Sequence, residues 1–302
     1  MRDALRLCVG TLTVLPVRPP ERLDARTAGR AMALSPLVGL VLGAVVLVGL
    51  WLVGGASLRF VPPGGAFTVA AVGEPVLSRW SALSPLVAAV LAVIATALLT
   101  RGMHLDGLAD TADGLGSRRA GEEALVLMRR GDVGPFGVAT VVLTLLVQVG
   151  ALAACFQAGV GPFALVTALV VSRAALPLAC RHGVPAARPD GLGATVAGTV
   201  GAAGLLLALS LTVVALGLTA VVAAAVGAGP PGVGAAAVPT RPDDASGAWA
   251  VLRPVLAVLL PWLVAWAWTR HCVRRLGGVS GDVLGATVEV ACTTSLLLSS
   301  LS

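Results

Sequence analysis

Long runs of apolar residues alternate along the chain with short segments that contain arginine, aspartate, glycine and proline. A helix needs about 20 apolar residues to cross the hydrocarbon core of a bilayer. Runs of this kind predict an all-α polytopic membrane bundle of about seven transmembrane helices, within a range of roughly six to eight. The predicted crossings are 31–52, 84–100, 136–156, 162–180, a part of 196–225, 248–268 and 283–301. The shorter apolar run 5–17, which Pro16 interrupts, predicts an interfacial or re-entrant helix instead.

The composition supports a membrane protein. Of the 302 residues, 57% are hydrophobic and only 12% are charged, whereas a soluble domain carries roughly 25% charged residues. The net charge of +6 would suit a nucleic-acid partner, but the arginines lie between apolar runs, where they set membrane topology. We therefore expect the lipid bilayer, and no nucleic acid, as a partner. The five cysteines show no Cys-x-x-Cys spacing, so neither a disulfide framework nor a zinc site is expected.

The arginines also predict an orientation, because all 21 basic residues are arginines. Most of them precede the first crossing or follow the second, fourth and sixth crossings, which places these segments on one side. The opposite side holds Arg59, Arg79, Arg241 and Arg253. Since positive residues are enriched in cytoplasmic loops, we expect a multi-pass protein of the inner (cytoplasmic) cell membrane with its N-terminus in the cytoplasm.

A single membrane-embedded domain is expected over residues 1–302. It begins with a cytoplasmic or interfacial segment, 1–30, and carries a cytoplasmic acidic loop at 101–134. Two segments rich in glycine, proline and alanine, 54–83 and 227–247, predict flexible outer loops.

The segment Arg101-Gly-Met-His-Leu-Asp-Gly-Leu-Ala-Asp-Thr-Ala-Asp-Gly114 holds three aspartates. Asp106, Asp110 and Asp113 are spaced i, i+4 and i+7, so on a helix all three carboxylates share one face. Unpaired carboxylates this close repel one another, and a divalent cation is the simplest counter-charge. Oxygen ligands suit Mg²⁺, which usually takes one or two carboxylates, several waters and substrate phosphates. A solvated acidic helix end is the alternative interpretation.

The acidic motif has two weaker echoes later in the chain. Asp106, Asp190 and Asp282 each begin an Asp-x-Leu-small-x-Thr pattern at the cytoplasmic end of a predicted crossing. Aspartate is favoured at helix N-caps, so capping explains the pattern. The functional explanation is that three helix starts point at one shared cytoplasmic site, where their dipoles favour an anion.

Other charged residues are candidates for substrate contacts. Arg173 and Glu289 lie inside predicted crossings, where ionisable residues are rare and usually functional; a structural ion pair between them is the alternative. Guanidinium groups near the acidic segment suit phosphate oxygens, although arginines are expected there as topology determinants too: Arg118, Arg119, Arg129 and Arg130. Among the histidines, only His104, two residues before Asp106, is a candidate base.

The residues alone indicate phosphoryl or phosphodiester transfer at an acidic Mg²⁺ site beside arginines. No Walker loop, Gly-x-Ser-x-Gly or His-Glu-x-x-His motif occurs in the sequence. A transporter that carries its substrate at the Arg173 and Glu289 positions belongs to a different class. It predicts inverted repeats, and the sequence shows only the short echo.

At these motifs the chain resembles the cobalamin-5′-phosphate synthase family, also called adenosylcobinamide-GDP ribazoletransferases. The resemblance covers most of the chain and rests on five segments: Thr11-Leu-Thr-Val-Leu-Pro16, Arg101 to Gly114, Gly134-Pro-Phe-Gly137, Arg188-Pro-Asp-Gly-Leu-Gly193 and Leu276-Gly-Gly-Val-Ser-Gly-Asp-Val-Leu-Gly-Ala-Thr-Val-Glu289. The family often reads Asp-Ser-Arg before the Gly-x-Phe-Gly turn. This chain reads Arg130-Gly131-Asp132, which leaves the role of Asp132 open.

The resemblance implies an Mg²⁺-dependent step of nucleotide-loop assembly in cobalamin biosynthesis. Adenosylcobinamide-GDP and α-ribazole, or α-ribazole 5′-phosphate, would be the substrates and GMP the leaving group. The implied metal ligands are Asp106, Asp110, Asp113 and Asp282, and the implied catalytic residues are Asp113, His104 and Asp110. Contacts to phosphate or corrinoid are implied for Arg101, Arg118, Arg119, Arg129, Arg130, Asp132, Arg173 and Glu289. A homo-oligomer, or a complex with other cobalamin-pathway enzymes, stays open.

Two other membrane enzymes share parts of this pattern. A CDP-alcohol phosphotransferase also has an Asp-Gly-x-x-Ala start followed by further aspartates. Asp110 stands where that pattern carries arginine, which argues against this class. A membrane prenyltransferase with an aspartate-rich pyrophosphate site is a more distant alternative.

Overall fold

The computed structural model describes residues 1–57, 83–129, 132–225 and 244–301. Regular structure in these ranges is entirely helical, apart from two isolated parallel bridges that join Arg181 to Val200 and Ala186 to Val279. The helices are α1 (Arg2–Leu12), α2 (Ala25–Ala33), α3 (Ser35–Ser57), α4 (Pro85–Leu99), α5 (Met103–Gly116), α6 (Glu122–Met128), α7 (Pro135–Gln157), α8 (Gly161–Ala179), α9 (Gly191–Val196), α10 (Ala202–Ala225), α11 (Asp244–Leu276) and α12 (Gly281–Ser300).

Six of these helices are long and apolar enough to cross a membrane. The crossing segments are Ser35–Gly54, Pro135–Gln157, Gly161–Ala179, Ala202–Ala223, Val255–Leu276 and Gly281–Ser300. A seventh crossing results if α4 and α5, which meet at an angle of 88°, count as one broken span. The prediction of an all-α polytopic membrane bundle is therefore confirmed.

Helix α8 forms the centre of the bundle. Its crossing segment is 83% buried, whereas that of α10 is 17% buried and exposes leucine and valine side chains on the outside of the bundle. Small residues let α3 approach α8 closely, because a Cβ on Gly39 would collide with the Leu169 carbonyl oxygen. Pro177 inside α8 has no N–H to offer to the Arg173 carbonyl. The Ser35 hydroxyl donates to that carbonyl instead, at 2.7 Å.

Several helix bounds differ from those predicted. The first crossing was expected from residue 31, but α2 ends at Ala33 and α3 begins at Ser35, because Pro36 is suited to the first turn of a new helix. The sixth was expected to end at residue 268, yet α11 continues to Leu276, so the arginines at 270, 274 and 275 lie on its last turns. Helices also occupy 54–57 and 244–247 of the predicted outer loops.

The N-terminal segment and the predicted outer loops differ in how much of them is described. Residues 1–30 contain α1 and most of α2, which pack on the bundle through buried Ala4, Cys8 and Ala28. The positions of Arg59, Arg79 and Arg241 lie outside the described residues. Arg253 lies in α11, but its side chain is not described.

One end of the bundle, which we name the aspartate end, is formed where α5 crosses the first turns of α7 and α12. Helix α5 contacts α12 through two glycines. A Cβ on Gly107 would come 2.6 Å from the Asp282 carbonyl oxygen, and one on Gly285 would come 3.2 Å from the His104 Cα. Segments that leave α8 and α11 join this end, because the N–H of Ala187 donates to the Val279 carbonyl just before α12 and that of Gly121 donates to the Arg275 carbonyl. The described polar loops thus gather around α5.

Candidate active site at the crossing of α5 and α12

The acidic segment forms helix α5, as the i, i+4, i+7 spacing predicts. Arg101 and Gly102 have positive φ angles of 55° and 64°, which turn the chain sharply between α4 and α5. The three aspartates then meet different surroundings. Asp106 is exposed, Asp110 is half-buried and Asp113 is buried. The carboxylates lie on one broad face, but only the first two are open to solvent.

Asp113 fixes the start of α7. Its two carboxylate oxygens accept hydrogen bonds from the backbone N–H groups of Gly134, at 2.7 Å, and Gly137, at 2.9 Å. A side chain on either glycine would collide with this carboxylate. The Gly134-Pro-Phe-Gly137 motif is thereby explained as the acceptor site for one aspartate. Because both Asp113 oxygens are used in this way, the geometry favours a positioning role over metal binding or proton transfer.

Asp282 joins the α5 carboxylates through the first turn of α12. The Ser280 side chain caps this helix by accepting from the Val283 N–H, and its hydroxyl also donates to Asp282 at 3.2 Å. The close backbone contact of Gly107 with Asp282 brings the flanking Asp106 and Asp110 beside it. We name Asp106, Asp110 and Asp282 the carboxylate cluster.

Burial and the neighbouring carboxylates both act on Asp110. Burial first, and then the negative charges of the other aspartates, raise the pKa of Asp110 to about 6. The positive charge of Arg188 acts in the opposite direction. A cation placed among these carboxylates removes this repulsion.

The donor set of the cluster fits Mg²⁺. Among the described residues, no three aspartate, glutamate, histidine or cysteine side chains lie close enough to coordinate one ion directly. Mg²⁺ usually keeps several waters and takes one or two carboxylates together with substrate phosphates. Two carboxylates from this cluster, completed by water and phosphate oxygens, would give the coordination that Mg²⁺ usually has in proteins.

Arg188 also belongs to the site, and the sequence interpretation did not select it. Its guanidinium lies 3.9 Å from the Asp282 carboxylate and donates to the Leu125 carbonyl of α6 at 2.9 Å. The motif Arg188-Pro-Asp-Gly-Leu-Gly193 was quoted only as part of the resemblance. The signal for Arg188 was therefore present, but its distance from the aspartates along the chain hid the contact.

The three echoing motifs do meet in space. Asp190 is the N-cap residue of α9, and a Cβ on Gly193 would come 2.5 Å from the Val279 carbonyl oxygen just before α12. Asp106 and Asp282 lie in the first turns of α5 and α12. None of the three carboxylates caps its own helix, because Asp190 makes no side-chain cap bond and the cap positions of α5 and α12 are Gly102 and Ser280. The capping interpretation is therefore not what the structure shows.

The other arginines selected from the sequence lie around the cluster. Arg101 donates to the Gly10 carbonyl of α1 at 3.4 Å, and Arg129 pairs with Asp190 at 3.5 Å. Arg118 and Arg119 are exposed beyond the end of α5, and Asp132 is exposed before α7. Arg130 lies outside the described residues. Among the described residues, no hydrogen bond or ion pair joins these side chains to the carboxylate cluster.

His104 lies on the other side of α5. It is buried, neither ring nitrogen has a hydrogen-bond partner within the described ranges, and burial lowers its pKa to about 3. It lines a small cavity with Thr11, Met32 and Leu176, which none of the four aspartates lines. The structure thus separates His104 from the carboxylates that it was predicted to serve.

Arg173 and Glu289 share a second small cavity deep in the bundle, as inward-facing neighbours on α8 and α12. They form no direct ion pair among the described residues. Glu289 accepts a hydrogen bond from the Gln148 amide at 2.7 Å, and Arg173 donates to the Ser172 hydroxyl at 3.0 Å. Since no aspartate lines this cavity, the structure does not bring this pair to the carboxylate cluster.

The sequence of the chain was compared with protein families and with curated proteins. The family model described as cobalamin-5-phosphate synthase matches residues 4–72 and 53–300. The chain belongs to the cobalamin-5-phosphate synthase family. This membership confirms the resemblance seen in the motifs, and the segments of the carboxylate cluster all lie within the match.

Curated relatives of the family are similar along nearly their whole length. One from Frankia casuarinae is 40% identical over 293 residues, which cover 96% of this chain and 92% of the relative. One from Nocardioides sp. is 38% identical over 297 residues, which cover 98% of each. Both are named adenosylcobinamide-GDP ribazoletransferase, and so is a relative from Corynebacterium efficiens at 34% identity. No solved structure matches the chain.

Proposed function

We propose that the chain is an adenosylcobinamide-GDP ribazoletransferase. It joins adenosylcobinamide-GDP to α-ribazole, or to α-ribazole 5′-phosphate, and releases GMP with the help of Mg²⁺. The product is adenosylcobalamin or its 5′-phosphate. The observation that carries this proposal is the carboxylate cluster at the crossing of α5 and α12, in a family whose curated relatives bear this name.

The reaction needs a phosphorus centre with a good leaving group and an oxygen nucleophile. A ribose hydroxyl of α-ribazole forms a new P–O bond to the cobinamide-linked phosphorus of adenosylcobinamide-GDP. The bond from that phosphorus to the bridging oxygen breaks, and its electron pair leaves with GMP. Mg²⁺ held by these aspartates would supply positive charge to offset the negative charge of the diphosphate and of the leaving group.

The aspartates divide these tasks. Asp106 and Asp282 are assigned to holding the cation. Asp110 is assigned to accepting the hydroxyl proton, because it is half-buried on the open face of α5, four residues after Asp106 and close to Asp282. Asp113 positions α7 against α5 and so fixes the wall of the site.

The proposed reaction takes place at one face of the membrane. The aspartate end carries the loops in which the sequence concentrates its arginines, which supports a cytoplasmic location under the positive-inside rule. We therefore assign the aspartate end to the cytoplasmic face of the cell membrane. Reaction of an impermeant thiol reagent with single cysteines placed at position 119 tests this orientation in intact cells.

The activity is tested by GMP release. Purified protein in lipid nanodiscs is supplied with adenosylcobinamide-GDP, α-ribazole and Mg²⁺, and GMP is measured by chromatography. Wild-type protein should release GMP, and Asp106→Asn should lose at least about 100-fold in rate, as expected for loss of a charged group in a catalytic site. Glu123→Gln removes a charge from an exposed position on α6 and serves as the matched control. An Asp106→Asn variant as active as wild type contradicts the assigned role.

A further inference from the structure

The backbone just before Arg188 is held against the segment that leads into α12. The N–H of Ala187 donates to the Val279 carbonyl, and the N–H of Val279 donates to the Pro185 carbonyl, both at 2.9 Å. A Cβ on Gly278 would come 2.4 Å from the Ala186 carbonyl carbon, so the two segments lie in close contact. Arg188 is thereby fixed relative to the start of α12, which carries Asp282.

Most N–H donors of the Arg188 guanidinium are not used in hydrogen bonds to the described residues. It carries five N–H donors in a planar fork. Among the residues that the structure describes, its one hydrogen bond runs to the Leu125 carbonyl. The contact with Asp282, at 3.9 Å, is too long for a hydrogen bond. Its Nε is buried and has no hydrogen-bond partner in the described parts of the chain. Buried donors are usually satisfied, so a further acceptor is expected at this position.

The position of that acceptor is set by the carboxylate cluster. Arg188 acts electrostatically on both Asp110 and Asp282. A cation held by these carboxylates would lie near the guanidinium, and an anion that contacts both would reduce the repulsion between the two positive charges. A phosphate group satisfies both requirements, since it ligates Mg²⁺ through one oxygen and accepts from an arginine fork through others.

We propose that Arg188 binds the diphosphate group of the nucleotide substrate and is the principal arginine of the site for this group. This inference rests on the proposed function and adds a specific residue to it. It replaces the exposed arginines of the α5–α6 region, which the sequence favoured, with one whose guanidinium is fixed in place. Arg188 stabilises negative charge on the leaving GMP phosphate, and no proton is transferred to or from it.

A purely structural role for Arg188 predicts different behaviour. If its main task were to pair with Asp282, removing it would leave that carboxylate misplaced and weaken cation binding. If its task is to bind phosphate, removing it takes a positive charge away from the carboxylates, and cation binding without nucleotide stays equal or becomes tighter. The two roles therefore differ in the sign of the effect on the metal alone.

The test measures Mn²⁺ binding by electron paramagnetic resonance, first alone and then with GDP as the probe, on protein in nanodiscs. For Arg188→Gln we expect GDP affinity in the presence of Mn²⁺ to fall about 10- to 100-fold, the effect of losing hydrogen bonds to a charged group. Mn²⁺ affinity without GDP should be unchanged or tighter. Arg188→Lys keeps the charge and should recover part of the GDP affinity. Arg274→Gln removes an exposed arginine from the last turn of α11 and should match wild type.

Measuring GMP release on the same samples tests the role of Arg188 separately from the proposed function. In Arg188→Gln the KM for adenosylcobinamide-GDP should rise, and kcat should fall as well. The role of Arg188 is refuted, and the proposed function stands, if GDP affinity and KM are as in wild type. It is also refuted if Mn²⁺ alone binds more weakly and GDP affinity falls only to the same extent. If wild-type protein binds Mn²⁺ and GDP but releases no GMP, the proposed function is refuted instead.

Discussion

Gly107 of α5 lies so close to Asp282 of α12 that a Cβ on Gly107 would come 2.6 Å from the Asp282 carbonyl oxygen. Cβ atoms are essentially never found at such a distance. This contact determines where the carboxylates of Asp106 and Asp110 stand relative to that of Asp282. The glycine is therefore part of the geometry of the cluster, although it carries no functional group.

Replacing Gly107 by alanine should separate α5 from α12 at the cluster. Misplacement of catalytic groups by about 1 Å costs on the order of 100-fold in rate, so we expect GMP release to fall by at least about 10-fold and Mn²⁺ to bind more weakly. Gly150→Ala is the matched control, since nothing lies within 4 Å of a Cβ at Gly150 in α7. Wild-type activity in Gly107→Ala would show that the helix crossing does not set the site.

Asp113 is expected to act on stability more than on chemistry. Asp113→Asn retains one acceptor oxygen but places an amide against the Gly134 or Gly137 N–H. Loss of one buried charge-assisted hydrogen bond should lower stability by about 1–3 kcal/mol, which thermal unfolding in detergent measures. The rate per folded molecule should fall less than in Asp106→Asn. An unchanged unfolding temperature with a rate as low as that of Asp106→Asn would make Asp113 a ligand or the base.

Most of the fold followed from the sequence because membrane crossings are local features. Apolar runs gave the crossings, and the i, i+4, i+7 spacing gave helix α5. The spacing did not show that Asp113 turns inward, since this depends on two glycine N–H groups more than 20 residues away. Arg188 was missed for the same reason. Its contacts with Leu125 and Asp282 are tertiary and leave no periodic signal in the chain.

The buried Gln148 is expected to support the fold by satisfying Glu289. Its amide donates to Glu289 at 2.7 Å and to Thr293 at 3.0 Å. Gln148→Leu leaves the Glu289 carboxylate without this donor and should lower stability by about 1–3 kcal/mol. GMP release per folded molecule should stay near wild type, because this cavity is separate from the aspartates.

The matched control is Gln157→Leu, the same substitution at an exposed position on α7. It should leave the unfolding temperature nearly unchanged. If Gln148→Leu keeps its stability but loses GMP release, the Arg173 and Glu289 cavity holds substrate, as the sequence interpretation supposed.

Dependence of GMP release on a cation at the carboxylate cluster tests the central claim most directly. Wild-type protein is stripped with a chelator, and Mg²⁺ is titrated back while GMP release is followed, in parallel with Asp282→Asn. We expect no GMP release without the cation and full recovery in wild type. In Asp282→Asn the half-maximal Mg²⁺ concentration should be at least about 10-fold higher, because loss of a group that binds or orients a metal ion lowers metal affinity by about this factor. Release that persists after chelation, or identical curves for the two proteins, would contradict a cation held by these aspartates.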